Sequence, residues 1–555
     1  MKILDNIIDR VGDWNPQIFR ELKERLTPRN IGITATISLL LQGVVWFIYD
    51  TQLQISQNID SRIGEPSSSD QNETYNRYCF DSLKDSYSGV CHFGESGDVL
   101  NINWQLWGSD IFICLSWILP LGLILGSVYL LVADLIQEEK RGTLNFIRLS
   151  PQSAQTVFIG KILGVPSLVY LAAALMVPFH LFIGIYAGAS IPLIAAWYLM
   201  IGAMWWLLSS TAVLYVLLGG IQAILTVIAV AYPVGIPLLV INLFASATIN
   251  HDSWLMKSSS PVVQWFWLHV NGSALWLYGF GTGCCLVASY GIWQALERRY
   301  LNPTATVMGK SQSYLANLCV QVWLAGFVLP LMSQKFYDKE ALLICLAVVD
   351  FLALLLLIPL LLPSKQALQD WSRYRRERVT HKQQQFWQRE LVQDLISNDQ
   401  SPALLAIVIN IGMAIALWAP VALISFSSIS HGVRFIAGLC LGASLILIYA
   451  TIAHWSRFLN FKKRNLWTIA IVGGVMFLPS IFTLILSPSS APTGIAAILL
   501  LFSPFAPMGI LQLSGGTILA AFAAQLAILA GLNQQLQRKL QIAGQSQSKE
   551  LLARS

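Results

Sequence analysis

The feature that most constrains this chain is a succession of apolar runs of about 20 residues, each bounded by charged or turn-forming stretches. A helix of that length crosses the hydrocarbon core of a bilayer, and a helix satisfies its own backbone there. Such runs occupy residues 31–49, 111–133, 162–186, 194–217, 221–244 and 274–296. A second series follows at 314–332, 341–362, 403–424, 435–454, 466–486 and 516–532. The pattern predicts an all-α integral membrane protein of about twelve transmembrane helices in two six-helix halves. Two further apolar stretches are interrupted and are read as interfacial or re-entrant. One is the Trp-rich 254–268, because Trp favours the membrane interface. The other is 495–511, which Ser503-Pro504 and Ala506-Pro507 break.

Composition supports the same class. Hydrophobic residues make up 55% of the chain and charged residues only 12%, against about 25% charged in soluble domains. A soluble fold of this composition would leave large apolar patches exposed. The net charge of +6 is modest, and its basic residues collect beside the apolar runs. That placement marks cytoplasmic loops and gives no nucleic-acid surface.

The same rule orients the chain. Lys2, Arg10, Arg20, Lys23, Arg25 and Arg29 precede the first run, and Arg538, Lys539, Lys549 and Arg554 follow the last, so both termini are expected in the cytoplasm. Segment 363–400 is basic and cytoplasmic; 50–110, where acidic residues outnumber basic ones, and 333–340 are extracytoplasmic. Residues 1–30 are amphipathic, with Ile18, Phe19, Leu22 and Leu26 on one face, and are expected to lie on the cytoplasmic membrane surface. Localisation is therefore multi-pass in the plasma membrane, the inner membrane if the source is bacterial, with lipid as the first partner.

One cytoplasmic loop, 134–161, carries a more specific pattern. Glu138, Glu139, Lys140 and Arg141 end a span, and Gly142 permits a turn. Thr143, Leu144, Ile147 and Leu149 form a brief amphipathic segment, and Ser150-Pro151 is read as the cap and first turn of the next helix. Glu138-x-x-Arg141-Gly142-Thr143-Leu144, then Leu149-Ser150-Pro151, then Gly160-Lys161, resembles the intracellular loop of type-2 ATP-binding-cassette (ABC) permeases of the exporter type.

The resemblance implies that this loop holds a coupling helix resting on a separate ATPase subunit. Leu144, Ile147 and Leu149 would supply its apolar face, and Glu138 and Arg141 would orient it by charge. It also implies a surface-lying connecting helix at 1–30, a first permease half at 31–310 and a divergent second half at 311–555. In the second half, Leu395 to Ser401-Pro402 repeats the spacing of Leu144 to Ser150-Pro151, without the Glu-x-x-Arg-Gly-Thr portion. The two six-span units that alternate access are either the halves of this chain or two permease chains, as a homodimer or with a second subunit.

No phosphate-binding G-x-x-x-x-G-K-[ST] loop occurs in the chain. ATP and Mg would therefore belong to the partner ATPase, and no cofactor is expected here. No catalytic constellation and no metal-ligand spacing stand out either. Asp350 lies in the middle of an apolar run, where a carboxylate costs about 2.5–3.5 kcal/mol to insert. It is a candidate intramembrane functional residue, with helix packing as the other reading; His180 is read as packing. A secondary transporter driven by an ion gradient, with Asp350 as its ion site, is the rival reading and accounts for the internal duplication. Gly438-x-x-x-Gly442 is a helix-packing motif. Cys79 and Cys91 share the outer loop and are a candidate disulfide, while the other six cysteines fall in apolar runs.

Overall fold

The computed structural model describes residues 12–53, 78–79, 102–149, 151–220, 223, 264–270, 273–333, 339–377, 390–426, 428–459, 464–486, 495–506, 510 and 513–544. Among these, ten helices are long and apolar enough to cross a membrane, and the chain is a multi-pass, predominantly α-helical membrane protein. It divides into two units: residues 1–262 with 269–297, and residues 263–268 with 298–555.

The first unit opens with α1 (Pro16–Arg25), started by Asn15, whose Oδ1 accepts from the Gln17 and Ile18 amides. The spans α2 (Pro28–Leu53) and α3 (Trp104–Arg141) follow, then the short α4 (Thr143–Arg148). The run expected as one span at 162–186 is two helices, α5 (Ala154–Gly164) and α6 (Ser167–Tyr186). Pro166 has no N–H to give Ile162, four residues back, so the helix breaks. The Tyr170 hydroxyl takes over that carbonyl at 2.6 Å. The spans α7 (Ile191–Leu217) and α8 (Ala274–Leu301) complete the described part. The fifth expected span, 221–244, lies outside the described residues apart from residue 223.

At 38 residues α3 is the longest helix among the described residues, and it packs along α6 and α7. Ile111, Leu115, Ile124, Val128, Leu131 and Leu135 form its fully buried face. Its start is tied to the segment before it, where Tyr78 OH donates to Asp110 Oδ2 at 3.0 Å.

The second unit contains α9 (Lys310–Ser333), α10 (Lys339–Leu361), α11 (Lys365–Glu377), α12 (Glu390–Ser397), α13 (Leu404–Ser425) and α14 (Ile429–Ser456). After them come α15 (Arg464–Leu486), α16 (Ile495–Leu501) and α17 (Gly515–Ala543). Helix α14 is central and packs against α10, α13, α15 and α17. Its glycines let neighbours approach: a Cβ on Gly442 would stand 3.4 Å from the Phe351 ring, and one on Gly438 3.2 Å from Ile510.

The two interrupted stretches take different forms. Within 254–268, only 264–268 is described, and it contains strand β1 (Gln264–Trp265), paired with β2 (Leu268–His269). In 495–511, α16 has seven residues, about 10 Å at 1.5 Å per residue, too short to span. It ends at the Ser503-Pro504 turn, and Gln525 Nε2 on α17 donates to its Leu501 carbonyl at 2.9 Å.

Candidate functional site

The loop 134–161 is held by a buried lysine. Lys161 on α5 is 1% exposed, and its Nζ donates to Glu21 Oε1 at 2.7 Å, Asp134 Oδ2 at 2.8 Å and Glu138 Oε1 at 2.7 Å. These acceptors come from α1 and from the end of α3. Arg25 closes the other side, with Asp134 Oδ1 at 2.7 Å and Glu21 Oε2 at 3.0 Å, and Arg20 reaches Glu138 Oε1 at 2.9 Å. Three cationic side chains thus balance three carboxylates. The carboxylates converge within 4.8 Å, as they would around a metal ion. Here the Lys161 ammonium supplies the cation.

Burial by itself would lower the Lys161 pKa, but the charges of Asp134 and Glu21 outweigh it and hold the ammonium above its usual 10.5.

Two glycines make the approach of α1 possible. A Cβ on Gly160 would lie 2.6 Å from Gln17 Cβ, and one on Gly164 would lie 2.5 Å from Glu21 Cβ. Asn15 Nδ2 adds a bond to the Thr156 carbonyl at 2.8 Å. The polar edge of α1, Gln17 and Glu21, is therefore buried against α5 beside Ile18. Leu22 and Leu26, expected on a membrane-lying face, are half-buried.

Beyond this hub the loop turns as expected at Gly142. Its φ is +75°, in the left-handed region that glycine tolerates, and it caps α3 with its N–H directed to the Glu138 and Glu139 carbonyls. Thr143 Oγ1 donates to the Glu138 carbonyl at 3.1 Å. The exposed apolar face of this loop differs from the one expected. Leu144 is 3% and Ile147 9% exposed, so both point inward; Phe146 at 77% and Leu149 at 86% point outward. On a helix at about 100° per residue, Leu149 is about 140° from Leu144, whereas Phe146 and Leu149 are only about 60° apart. That arithmetic was available in the sequence and identifies Phe146, which the reading by amphipathic segment missed.

The charged residues part company too. Arg141 is exposed, while Glu138, expected to orient a partner, is bound to Lys161 and Arg20. Ser150 lies outside the described residues. Pro151 is exposed and does not begin a helix. Ser153 caps α5 instead, its Oγ accepting from the Thr156 amide at 3.1 Å.

The corresponding stretch of the second unit is also fixed by a lysine. Lys310, 2% exposed, donates from Nζ to the Leu395 carbonyl at 2.8 Å, Ser401 Oγ at 2.5 Å and the Pro402 carbonyl at 3.2 Å. Asp399 accepts from the Lys310 amide at 2.8 Å and from Arg298 at 2.5 Å. The Leu395 to Ser401-Pro402 echo is thus one bound turn.

Asp350 is buried on α10, and its Oδ1 accepts from Gln321 Nε2 at 2.5 Å. His180 is stacked between Phe112 and Trp197 and hydrogen-bonded to Ser116 at 2.9 Å and Tyr198 at 2.8 Å, so every edge and face is occupied. Cys79 is disulfide-bonded and buried, while Cys91 lies outside the described residues. Cys114, Cys284, Cys285, Cys319, Cys345 and Cys440 are free thiols.

Comparison with family models, curated proteins and solved structures found no match to the chain.

Proposed function

We propose that this chain is the membrane-spanning permease subunit of an ABC transporter of the type-2 exporter class. In this reading it has twelve spans and both termini in the cytoplasm of a plasma membrane. A separate ATPase subunit binds ATP and Mg and docks on the 134–161 loop. The observation that carries the reading is the outward pair Phe146 and Leu149, presented by α4 on a loop anchored by the buried Lys161 hub.

Two large apolar side chains at a cytoplasmic loop tip are costly in water, and a partner groove would cover them. Exposed Arg141 lies close by to set register by charge. Anchoring gives the pair mechanical meaning. A push on α4 passes through Gly142 into α3 and through Glu138–Lys161 into α5, so span and loop move together. Substrate would pass between spans of two such units, whether these are the halves of this chain, a homodimer or a second permease subunit.

The test is co-expression of the full chain with the ATPase encoded beside its gene. The expected result is a complex whose vanadate-sensitive phosphate release is lost in Phe146→Asp/Leu149→Asp, while the permease still inserts. A double variant that keeps the partner and its ATP turnover would remove the reading's main support.

A further inference from the structure

We propose that Asp350 is a proton-binding site inside the second unit, a carboxyl that takes up and releases a proton at the cavity it lines. The proposal stands apart from the ATPase reading, because no residue of the 134–161 loop takes part in it.

Asp350 sits in the middle of α10, a span of mean hydropathy 3.1, and is 4% exposed. An acidic residue in such a place needs a partner or a task. Among the described residues, two other buried charges have several acceptors each. Lys161 has three carboxylates, and Lys310 has two carbonyls and a hydroxyl. Among the described residues no cation reaches Asp350, so nothing balances an ionised carboxylate.

Its hydrogen-bonding neighbour among the described residues, Gln321, is held in a fixed orientation. Gln321 Oε1 accepts from Trp418 Nε1 at 2.7 Å, which turns the amide nitrogen towards Asp350 Oδ1. The second amide hydrogen goes to Asn317 Oδ1 at 3.2 Å, and Asn317 Nδ2 in turn donates to the Asn410 carbonyl at 2.9 Å. Asn410 Nδ2 donates to Ser313 Oγ at 3.1 Å. Ser313, Asn317 and Gln321 fall at four-residue steps on one buried face of α9. This ladder of neutral groups fixes Gln321 as a donor to Oδ1 in both protonation states, and leaves Oδ2 to carry the proton.

The cavity is about 30 Å³ and is walled by Ala347, Phe351, Ile411, Ala414, Gly438 and Gly442, among others. About 10–15 Å³ suffices for one water, so the space admits one or two as proton donors and acceptors. None of the groups facing Asp350 from α9, α13 or α14 is charged. The titratable and charged residues of those helices and of α10 lie elsewhere: Lys310, Tyr314 and Cys319 on α9, Lys339, Glu340 and Cys345 on α10, and His431, Arg434, Cys440, Tyr449 and His454 on α14; α13 has none. A proton is the ligand that such a site fits. It needs one oxygen and no further donor atoms, whereas a metal cation would need several oxygens.

The test uses dicyclohexylcarbodiimide on the full chain in native membranes. The reagent adds to a protonated carboxyl: the acid proton moves to a carbodiimide nitrogen and the carboxylate oxygen bonds to the central carbon. An O-to-N acyl shift then gives a stable N-acylurea, with no atom lost. Mass spectrometry should find the adduct on Asp350, falling about tenfold per pH unit above its midpoint and unaffected by Na⁺. Infrared titration supplies a second measurement that needs no reagent access: a carboxylic C=O band should titrate in the wild type and be missing in Asp350→Asn. Protection by Na⁺ would make this a metal-cation site and overturn the proposal. A band that does not titrate, or no protonated carboxyl by either method, would leave Asp350 a packing residue.

Discussion

Lys161 Nζ lies 2.7 Å from Glu21 Oε1 across 140 residues of chain, both side chains being 2% exposed or less. This pair joins the N-terminal amphipathic helix to the loop that follows α3, and Asp134 and Glu138 complete the cage. Removing one member of a buried ion pair leaves uncompensated charge and typically costs about 3–5 kcal/mol. Lys161→Met should therefore destabilise the first unit by about that amount. Adding Glu21→Gln to it should recover part of the loss, because one stranded carboxylate is removed. Thermal unfolding in detergent, read as a double-mutant cycle, checks both; additive effects would mean that the two residues do not act as a pair.

The same hub fixes the direction of a pH effect. The Lys161 pKa is raised by Asp134 and Glu21 despite burial, so it is higher in the folded than in the unfolded chain. A raised folded pKa gives stability that is full below the unfolded value and is lost as pH climbs through the folded one. The wild type should lose more stability above pH 10.5 than Lys161→Met does, and the two should run parallel at neutral pH. Unfolding curves of both proteins across that range provide the comparison.

Gly164→Ala would put a methyl 2.5 Å from Glu21 Cβ, a distance at which α1 must move. Overpacking of this kind costs about 1–3 kcal/mol. Gly122 on α3 has nothing within 4 Å of an added Cβ, so Gly122→Ala should be neutral or slightly stabilising. Protease nicking of α1 should rise in the first variant and stay unchanged in the second.

How much of this was legible depends on the range over which each signal acts. Ten of the expected spans coincide with long apolar helices or parts of them, because bilayer thickness sets a length that local sequence must meet. The turn at Gly142 was legible too, since a left-handed cap is a single-residue requirement. The break at Pro166 was visible as a proline, but its repair by Tyr170 depends on side-chain reach. The Lys161 hub was hidden, because the two long helices α2 and α3 stand between Glu21 and Lys161 in the chain. Glu21 and Gln17 stand apart from the Ile18, Phe19, Leu22 and Leu26 face of α1, and the small surface of Gly160 and Gly164 explains their burial.

Gly142→Ala should cost about 1–2 kcal/mol, the usual penalty for a side chain in the left-handed region. Gly142→Asn should cost less, because Asn visits that region more readily. No heavy atom lies within 4 Å of the added Cβ, so backbone strain is the only contribution. A ranking of glycine, asparagine, then alanine in thermal stability is the expected outcome; equal stability would mean that the turn relaxes elsewhere.

The final prediction separates the inward and outward faces of α4. Leu144 and Ile147 are packed and Phe146 is exposed on this helix of six residues, and Leu149, its C-cap, is exposed too. Leu144→Asp buries a carboxylate without a partner, so it should loosen the loop and lower thermal stability whether or not an ATPase is present. Phe146→Asp/Leu149→Asp changes only exposed positions, so the isolated chain should keep its stability to within about 0.5 kcal/mol. If the outward face is a docking surface, this double variant alone should lose partner binding while remaining fully folded. Thermal unfolding of wild type and of both variants, with and without the co-expressed ATPase, gives six measurements. Wild type should gain stability from the partner, as any ligand of the folded state confers, and the double variant should gain none. A double variant that still gains stability would place the partner's contact elsewhere on the chain, leaving α4 as a packed connector between α3 and α5.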